Sequence, residues 1–236
     1  MENENLIKSR KEIKPTKTYK FLKWITKIAI KKPEFIFLGE PFKESSLILS
    51  NHSGSSGPLR LELYSPIQVR LLGTYEMNGS LKDVYKYLST TYYYQKKHWN
   101  KYLAKAFCLI AAPLVHSFYK GLNLISTYQG IGFVKTIKES YEALTIHKEN
   151  LVIFPEDSSK GYFTKLTHFY NGFLVLAEYC YKRGLDLDIY VAYLNRRKRK
   201  YIFDKPIKYS ELIKLSEDKD EIAKILLNRC NELGKM

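Results

Sequence analysis

Apolar residues follow two different spacings along this chain. Short continuous apolar runs predict β-strands at 34–38, 47–49, 68–73, 121–126, 151–154, 187–194 and 201–203. Longer segments, in which apolar residues recur every three or four positions, predict helices at 19–32, 80–105, 131–144, 169–181 and 220–233. Because strands alternate with helices, we predict the α/β class: a layered sandwich with a mostly parallel central sheet flanked by helices.

Residues 1–32 form a basic segment ahead of this alternating pattern. On a helix at 19–32, Phe21, Trp24 and Ile28 share one face, and lysines flank that face. This arrangement is typical of a helix in a lipid headgroup layer, and equally of a helix packed on a domain with its lysines in water. We therefore divide the chain into 1–32, with an amphipathic membrane-proximal helix, and an α/β domain at 33–236.

The most apolar run of the chain lies at 106–115. Its ten residues are too few to cross a bilayer as a helix. We therefore predict a core helix here, and a helix that dips into a membrane is the alternative.

The charge of the chain favours an anionic partner. The formal net charge is +15, which suits a nucleic acid, an anionic membrane surface or a phosphate-bearing substrate. Neither the histidines nor Cys108, Cys180 and Cys230 show metal-ligand spacing, so we expect no metal site. The scattered cysteines and the lack of a recognisable secretory signal predict the cytoplasm or the cytoplasmic face of a membrane.

Two of the predicted strands end in turns that are rich in small polar residues. His52 follows the strand at 47–49, and Glu156 follows the strand at 151–154. Because the carboxyl ends of parallel strands meet at one edge of a sheet, we expect the two turns to face each other across a cleft. His52 is the candidate general base, since imidazole ionises near neutral pH. Glu156 is either a buried capping group or a substrate ligand, and Lys160 is a candidate phosphate ligand.

These turns resemble motifs of one enzyme family. Asn51-His52 with its small polar turn resembles the N-H-x4-D motif of the glycerolipid acyltransferases, the PlsC-like 1-acylglycerol-3-phosphate acyltransferase family. The sequence FPEDSS at 154–159 resembles the family's F-P-E-G-T-R motif, and residues 166–172 resemble its L-x-x-F-K-x-G motif. The similarity runs from about residue 45 to residue 207 and covers most of the α/β domain.

The resemblance implies transfer of a fatty acyl group from a thioester of coenzyme A or acyl carrier protein to a lysophospholipid hydroxyl, as in phospholipid biosynthesis. It implies His52 as the general base, no cofactor besides the acyl donor, and a peripheral location on the anionic inner face of a membrane. The substrate-binding residues that it implies are Asn51, Ser53, Phe154, Pro155, Glu156, Ser158, Ser159, Lys160 and Gly172.

The chain also departs from the family's motifs. The aspartate that orients the histidine is Gly57 here. The arginine of the F-P-E-G-T-R motif is Ser159, and the arginine of a further motif, whose place residues 121–125 take, is Thr127. Loss of an orienting carboxylate can cost on the order of 10⁴ in rate, as it does in serine proteases. We predict Asp157 as the replacement, with Glu62 as the other candidate.

Two alternative functions remain open at this point. One is a catalytically impaired relative that keeps a lipid-binding cleft. The other is a nucleic-acid-binding protein, which explains the charge, but the sequence contains no recognition motif or aromatic stacking platform. We therefore expect no nucleic-acid partner.

Overall fold

The computed structural model describes residues 16–39, 42–158 and 161–236, and these form an α/β sandwich around one eight-stranded sheet. The strand order is β1-β7-β6-β2-β5-β3-β4, with β8 also paired to β6. The strands are β1 Glu34–Phe37, β2 Leu47–Ser50, β3 Val69–Thr74, β4 Ile125–Thr127, β5 Asn150–Ile153, β6 Asp188–Asn195, β7 Lys200–Phe203 and β8 Ile207–Lys208.

Helices flank the sheet, as predicted. Within the described residues they are α1 Lys17–Ala29, α2 Ser56–Tyr64, α3 Tyr75–Asn78, α4 Leu81–Lys86, a π-helix Tyr87–Lys96, α5 Lys101–Leu122, a short 3₁₀ helix Gly130–Gly132, α6 Phe133–Thr145, α7 Gly172–Tyr181, α8 Tyr209–Leu215 and α9 Lys219–Lys235.

The centre of the sheet is parallel and buried on both faces. Strand β2 pairs in parallel with both β5 and β6. Leu47 and Leu49 contribute to the hydrophobic core on one face, and Ile48 contributes to the core on the other. All three side chains are fully buried, which explains why β2 is a continuous apolar run rather than an alternating one. Among the named strands of the described residues, β6 pairs antiparallel with β7 and β8, and the other pairs are parallel.

The predicted elements at 121–126 and 80–105 have clearly different bounds in the structure. The predicted strand at 121–126 is shorter and later, because residues 121 and 122 form the last turn of α5 and β4 begins only at Ile125. The predicted helix at 80–105 is three elements: α4, the π-helix and the start of α5. A new helix, α5, begins at Lys101. The Asn100 side chain caps its start by accepting hydrogen bonds from the first backbone amides of α5.

The prediction that 106–115 forms a core helix holds for one face only: Cys108 and Ala112 are buried in a small hydrophobic core, whereas most of the run is exposed. Helix α5 is 22 residues long, and only 22% of its most apolar window is buried. Leu109 and Ile110 are 68% and 77% exposed. By length and composition, α5 is the one helix in the described part of the chain that meets the requirements for crossing a membrane.

Helix α1 packs on the domain with one face and exposes its apolar residues on another. Tyr19 is buried against Phe118 of α5, and its hydroxyl donates to the Glu62 carboxylate of α2. Trp24 and Ile28 remain 59% and 68% exposed. The helix is therefore packed on the domain, and its uncovered apolar face leaves the lipid-headgroup location a prediction.

The close approach of α1 to α5 generates a stability prediction. Gly121 lies directly against the Tyr19 ring, and a Cβ atom at position 121 would overlap that ring. We expect Gly121→Ala to lower the free energy of unfolding by about 1–3 kcal/mol through overpacking, although alanine favours helix. Urea denaturation measures this change. In a Tyr19→Ala background most of the loss should disappear, and an equal loss in both backgrounds would contradict the packing described here.

Candidate active site

The turn that carries His52 (residues 51–55, the His52 turn) is fixed to the sheet by buried polar groups. The Asn51 side chain accepts a hydrogen bond from the backbone N–H of Leu194, at 2.7 Å, and donates to the carbonyl of the same residue, at 3.3 Å. The hydroxyls of Ser50 and Tyr201 lie 2.6 Å apart. Asn51 is 2% exposed and both ends of its amide are used, so it positions the turn instead of contacting a substrate.

The His52 ring is held by a backbone carbonyl. Its Nδ1–H donates to the carbonyl oxygen of Gly54, so Nε2 carries the lone pair. The ring lies 5.0 Å from the Phe154 ring and 5.1 Å from the Tyr162 ring, measured between centroids. The pKa of His52 is lowered to about 4, mainly by burial; the hydrogen bond to the Gly54 carbonyl opposes this shift, and the positive charges of Lys96 and Lys97 add to it.

Gly57 occupies a position where the backbone leaves no room for an aspartate. Its N–H donates to the carbonyl of His52 at 3.0 Å, at the start of α2. A Cβ atom at Gly57 would lie 2.8 Å from the carbonyl oxygens of both Asn51 and His52, which is closer than real Cβ atoms approach. The turn is therefore built around a glycine, and its conformation would have to change to accept the side chain of the N-H-x4-D motif.

We predicted Asp157 or Glu62 as the carboxylate that replaces the missing aspartate. In the structure, the hydrogen bond of His52 Nδ1 goes to the Gly54 carbonyl instead. The side chain of Asp157 hydrogen-bonds with Tyr170, and together with burial this contact raises the pKa of the Tyr170 hydroxyl. Glu62 accepts hydrogen bonds from Tyr19 and Lys23 of α1. The prediction that Asp157 orients the imidazole is thus not supported, because the Gly54 carbonyl occupies that place.

The turn that carries Glu156 (residues 154–158, the Glu156 turn) lies beside the His52 turn, as predicted. It follows β5, whose parallel pairing with β2 places the two turns at the same sheet edge. Glu156 is 8% exposed, and neither carboxylate oxygen has a hydrogen bond of normal geometry. Burial raises the pKa of Glu156 to about 7, whereas the nearby backbone amides of His52 and Ser53 and the charge of Lys96 act to lower it.

The two turns open into one large, mainly apolar cavity of about 920 Å³. Polar side chains that line it include His52, Glu156, Ser158 and Lys96. Much of the remaining wall is apolar and comes from α1, β3, α3, the π-helix, α5 and the residues between α5 and β4: Leu22, Leu71, Leu72, Met77, Leu88, Leu114, Val115, Phe118, Leu122 and Leu124. The volume falls within the usual range for small-molecule sites.

The other predicted substrate-binding residues have different positions. Phe154 and Ser158 line the cavity. The carbonyl of Pro155 accepts a hydrogen bond from the Tyr170 amide, and Gly172 begins α7, where it lies against the Phe133 ring. These two residues therefore support the turn and the packing of α7.

The remaining predicted substrate-binding residues are Ser53, Ser159 and Lys160. Ser53 contributes its backbone amide near Glu156, which is a positioning contact. Ser159 and Lys160 lie outside the described residues.

Sequence reasoning missed Lys96 and Lys97 at the end of the π-helix. Lys96 Nζ donates to the Ser158 hydroxyl at 2.7 Å. The ammonium groups of Lys96 and Lys97 lie 5.8 and 5.5 Å from the centroid of the Tyr162 ring. The only local signal was a tyrosine- and lysine-rich stretch at 85–97, which does not reveal that the two lysines approach a turn more than 40 residues earlier.

No protein-family profile matches this chain, and no curated protein sequence matches it. The chemistry of the site is therefore argued from its geometry. A neutral imidazole, a buried carboxylate and a half-buried lysine in one cavity form the kind of perturbed titratable cluster that is typical of active sites.

The buried carboxylate predicts a specific dependence of stability on pH. Because the folded pKa of Glu156 is about 7, against 4.5 for an unperturbed carboxyl, the folded state loses stability as pH rises from about 4.5 through about 7. Glu156→Gln removes this loss. We expect the free energy of unfolding of the variant, relative to the native chain, to increase across that window by on the order of 1–3 kcal/mol.

Urea titrations of both proteins between pH 4 and pH 8 measure this difference. If the difference in unfolding free energy stayed constant across the window, the folded pKa of Glu156 would not be raised, and the burial described here would be contradicted.

Proposed function

We propose that this protein is an acyltransferase of the glycerolipid type, which moves a fatty acyl group from an acyl thioester to a lysophospholipid hydroxyl. The observation that carries the proposal is the placement of the His52 imidazole in a mainly apolar cavity of about 920 Å³, beside a buried carboxylate and a lysine. An apolar cavity suits an acyl chain, and the polar groups suit the ester-forming end of the substrates. The motif resemblance around His52 and Glu156 supports the same class.

In the proposed reaction, His52 Nε2 takes the proton of the acceptor hydroxyl as that oxygen attacks the thioester carbonyl carbon. The tetrahedral intermediate then collapses, the carbon–sulfur bond breaks, and the imidazolium returns the proton to the departing thiolate. The Gly54 carbonyl keeps the ring in the required tautomer. Unlike a carboxylate, it carries no full charge to stabilise the imidazolium, so we expect a slow enzyme.

The outer surfaces of α1 and α5 support a membrane location. Trp24 and Ile28 of α1 and Leu109 and Ile110 of α5 are all more than half exposed, and the two helices pack on each other. Both helices also line the cavity with other residues. We propose that these two faces insert into the anionic inner leaflet of a membrane, where lysines of α1 contact headgroups and the net charge of +15 favours binding.

A lipid-binding protein without catalytic turnover is the second candidate. Two observations favour it: the backbone around Gly57 excludes the usual aspartate, and the pKa of His52 is about 4, which makes the imidazole a weak base.

The catalytic proposal is tested with purified protein, an acyl-CoA and a lysophosphatidate, by following release of free thiol. We expect acceptor-dependent release, and we expect His52→Ala to lower kcat/KM by at least about 10²-fold. In the native protein kcat/KM should rise with pH through about 4 and then level, because the base is the neutral imidazole of the free enzyme.

His168→Ala serves as the matched control, since this histidine contacts Tyr170 and does not line the cavity. Binding of lysophosphatidate without thiol release would favour the second candidate. Unchanged release in His52→Ala would refute the catalytic role.

The membrane proposal is tested by sedimentation with vesicles that contain anionic phospholipid. We expect the double variant Trp24→Ser, Ile28→Ser to bind at least about tenfold more weakly, because each exposed apolar side chain contributes about 1.5–3 kcal/mol when buried in lipid. The matched control is Ile146→Ser with Leu215→Ser, which removes two side chains of 51% and 59% exposure outside α1 and α5. Equal weakening in both double variants would contradict the assigned surface.

A further inference from the structure

The end of the π-helix brings two consecutive lysines to the candidate active site. The Lys97 N–H donates to the carbonyl of Tyr92, five residues earlier, which is the π-helical pattern. Both ammonium groups lie within 6 Å of the centroid of one ring, that of Tyr162, and this ring also contacts the His52 ring. Widened helical turns of this kind are frequent at functional sites.

Each lysine contacts a different one of the two turns. Lys96 Nζ donates to the hydroxyl of Ser158 in the Glu156 turn. Lys97 Nζ lies 3.3 Å from the position that a Cβ atom would take at Gly54, so its ammonium group covers the His52 turn. The two positive charges therefore lie where the turns meet.

These charges lack a direct counter-ion in the described part of the chain, where neither ammonium group forms an ion pair. Burial lowers the pKa of Lys96, although the more distant charges of Glu156 and Asp157 oppose this effect. A partly buried cation without a paired anion is unfavourable, and an anion bound between the lysines would relieve that cost.

We infer that Lys96 and Lys97 together bind the phosphate group of the acceptor substrate while its hydroxyl reaches His52. The inference rests on the proposed function and assigns a specificity role to two residues outside the motifs discussed above. Lys96 lines the same cavity as His52, so a phosphate held there belongs to a molecule that also contacts the imidazole. Two ammonium groups, each within 6 Å of the centroid of the Tyr162 ring, suit a phosphomonoester dianion, which carries three acceptor oxygens.

Phosphate binding at this position also activates the base. The charges of Lys96 and Lys97 lower the pKa of His52 in the empty site. A phosphate dianion between the lysines opposes their effect, and it raises the basicity of Nε2 only when the acceptor is bound. The lysines therefore link recognition of a phosphorylated acceptor to proton abstraction from its hydroxyl.

The experiment compares Lys96→Gln, Lys97→Gln and the double variant with Lys96→Arg, which keeps the charge. Lys224→Gln on α9 is the matched control, because it removes one exposed charge that does not line the cavity. Each protein is assayed with a lysophosphatidate and with a monoacylglycerol of the same chain, which lacks the phosphate. We expect the double variant to raise KM for lysophosphatidate by about tenfold or more, with little change for the monoacylglycerol and near-normal values in Lys96→Arg and Lys224→Gln.

A phosphate group could also come from the donor, so the assay is repeated with an acyl-N-acetylcysteamine thioester, which has no phosphate. The lysophosphatidate defect should persist with this donor. A defect that disappears with it would assign the lysines to the donor and overturn the inference, as would equal losses with both acceptors.

Calorimetric titration of lysophosphatidate, below its micelle concentration and without donor, separates this inference from the proposed function. If no variant turns over substrate but the double variant binds lysophosphatidate about tenfold more weakly than Lys224→Gln, the catalytic proposal fails and the phosphate site stands. Equal binding by the two proteins would overturn the phosphate site whether or not acyl transfer occurs.

Discussion

The parallel pairing of β2 with β5 is the contact on which the candidate site depends. Leu47, Ile48 and Leu49 pair in register with residues 151–153, and because both strands end at the same edge, the turns that follow them must meet. This pairing places the His52 imidazole and the Glu156 carboxylate in one cavity. The amide of Asn51 then fixes the first turn to β6, so the position of the imidazole follows from buried backbone contacts and not from a surface loop.

The helical region between β3 and β4 connects this site to the outside of the molecule. Residues 75–122 form α3, α4, the π-helix and α5, and they supply much of the cavity wall, Lys96 and the exposed apolar face of α5. One helical region thus provides the proposed acyl-chain wall, phosphate ligand and membrane contact. Under the proposed function, a lipid held against the exposed face of α5 would contact a helix that also lines the cavity.

Local sequence patterns predicted the parts of this structure that depend on local constraints. Strand β2 is apolar because both of its faces are buried, and the turn residues after it are visible in the sequence. The exposure of α5 was not predictable from the apolar run at 106–115, since burial depends on which surfaces pack on it. Nor could the sequence reveal that Gly54 supplies a carbonyl to His52, that the backbone at Gly57 excludes a side chain, or that a π-helix brings Lys96 to the Glu156 turn. Each of these depends on tertiary contacts.

The state of the His52 imidazole tests the central claim most directly. Nitrogen-detected NMR of imidazole-labelled protein reports both the tautomer and the pKa of each histidine ring. We expect His52 to be neutral at pH 6, with its proton on Nδ1 and a pKa near 4 that rises in Lys96→Gln, because one positive charge beside the ring is removed. A pKa near 6.5 that does not respond to Lys96→Gln would show that the imidazole is not held in this cavity beside the lysine, and the account would be wrong.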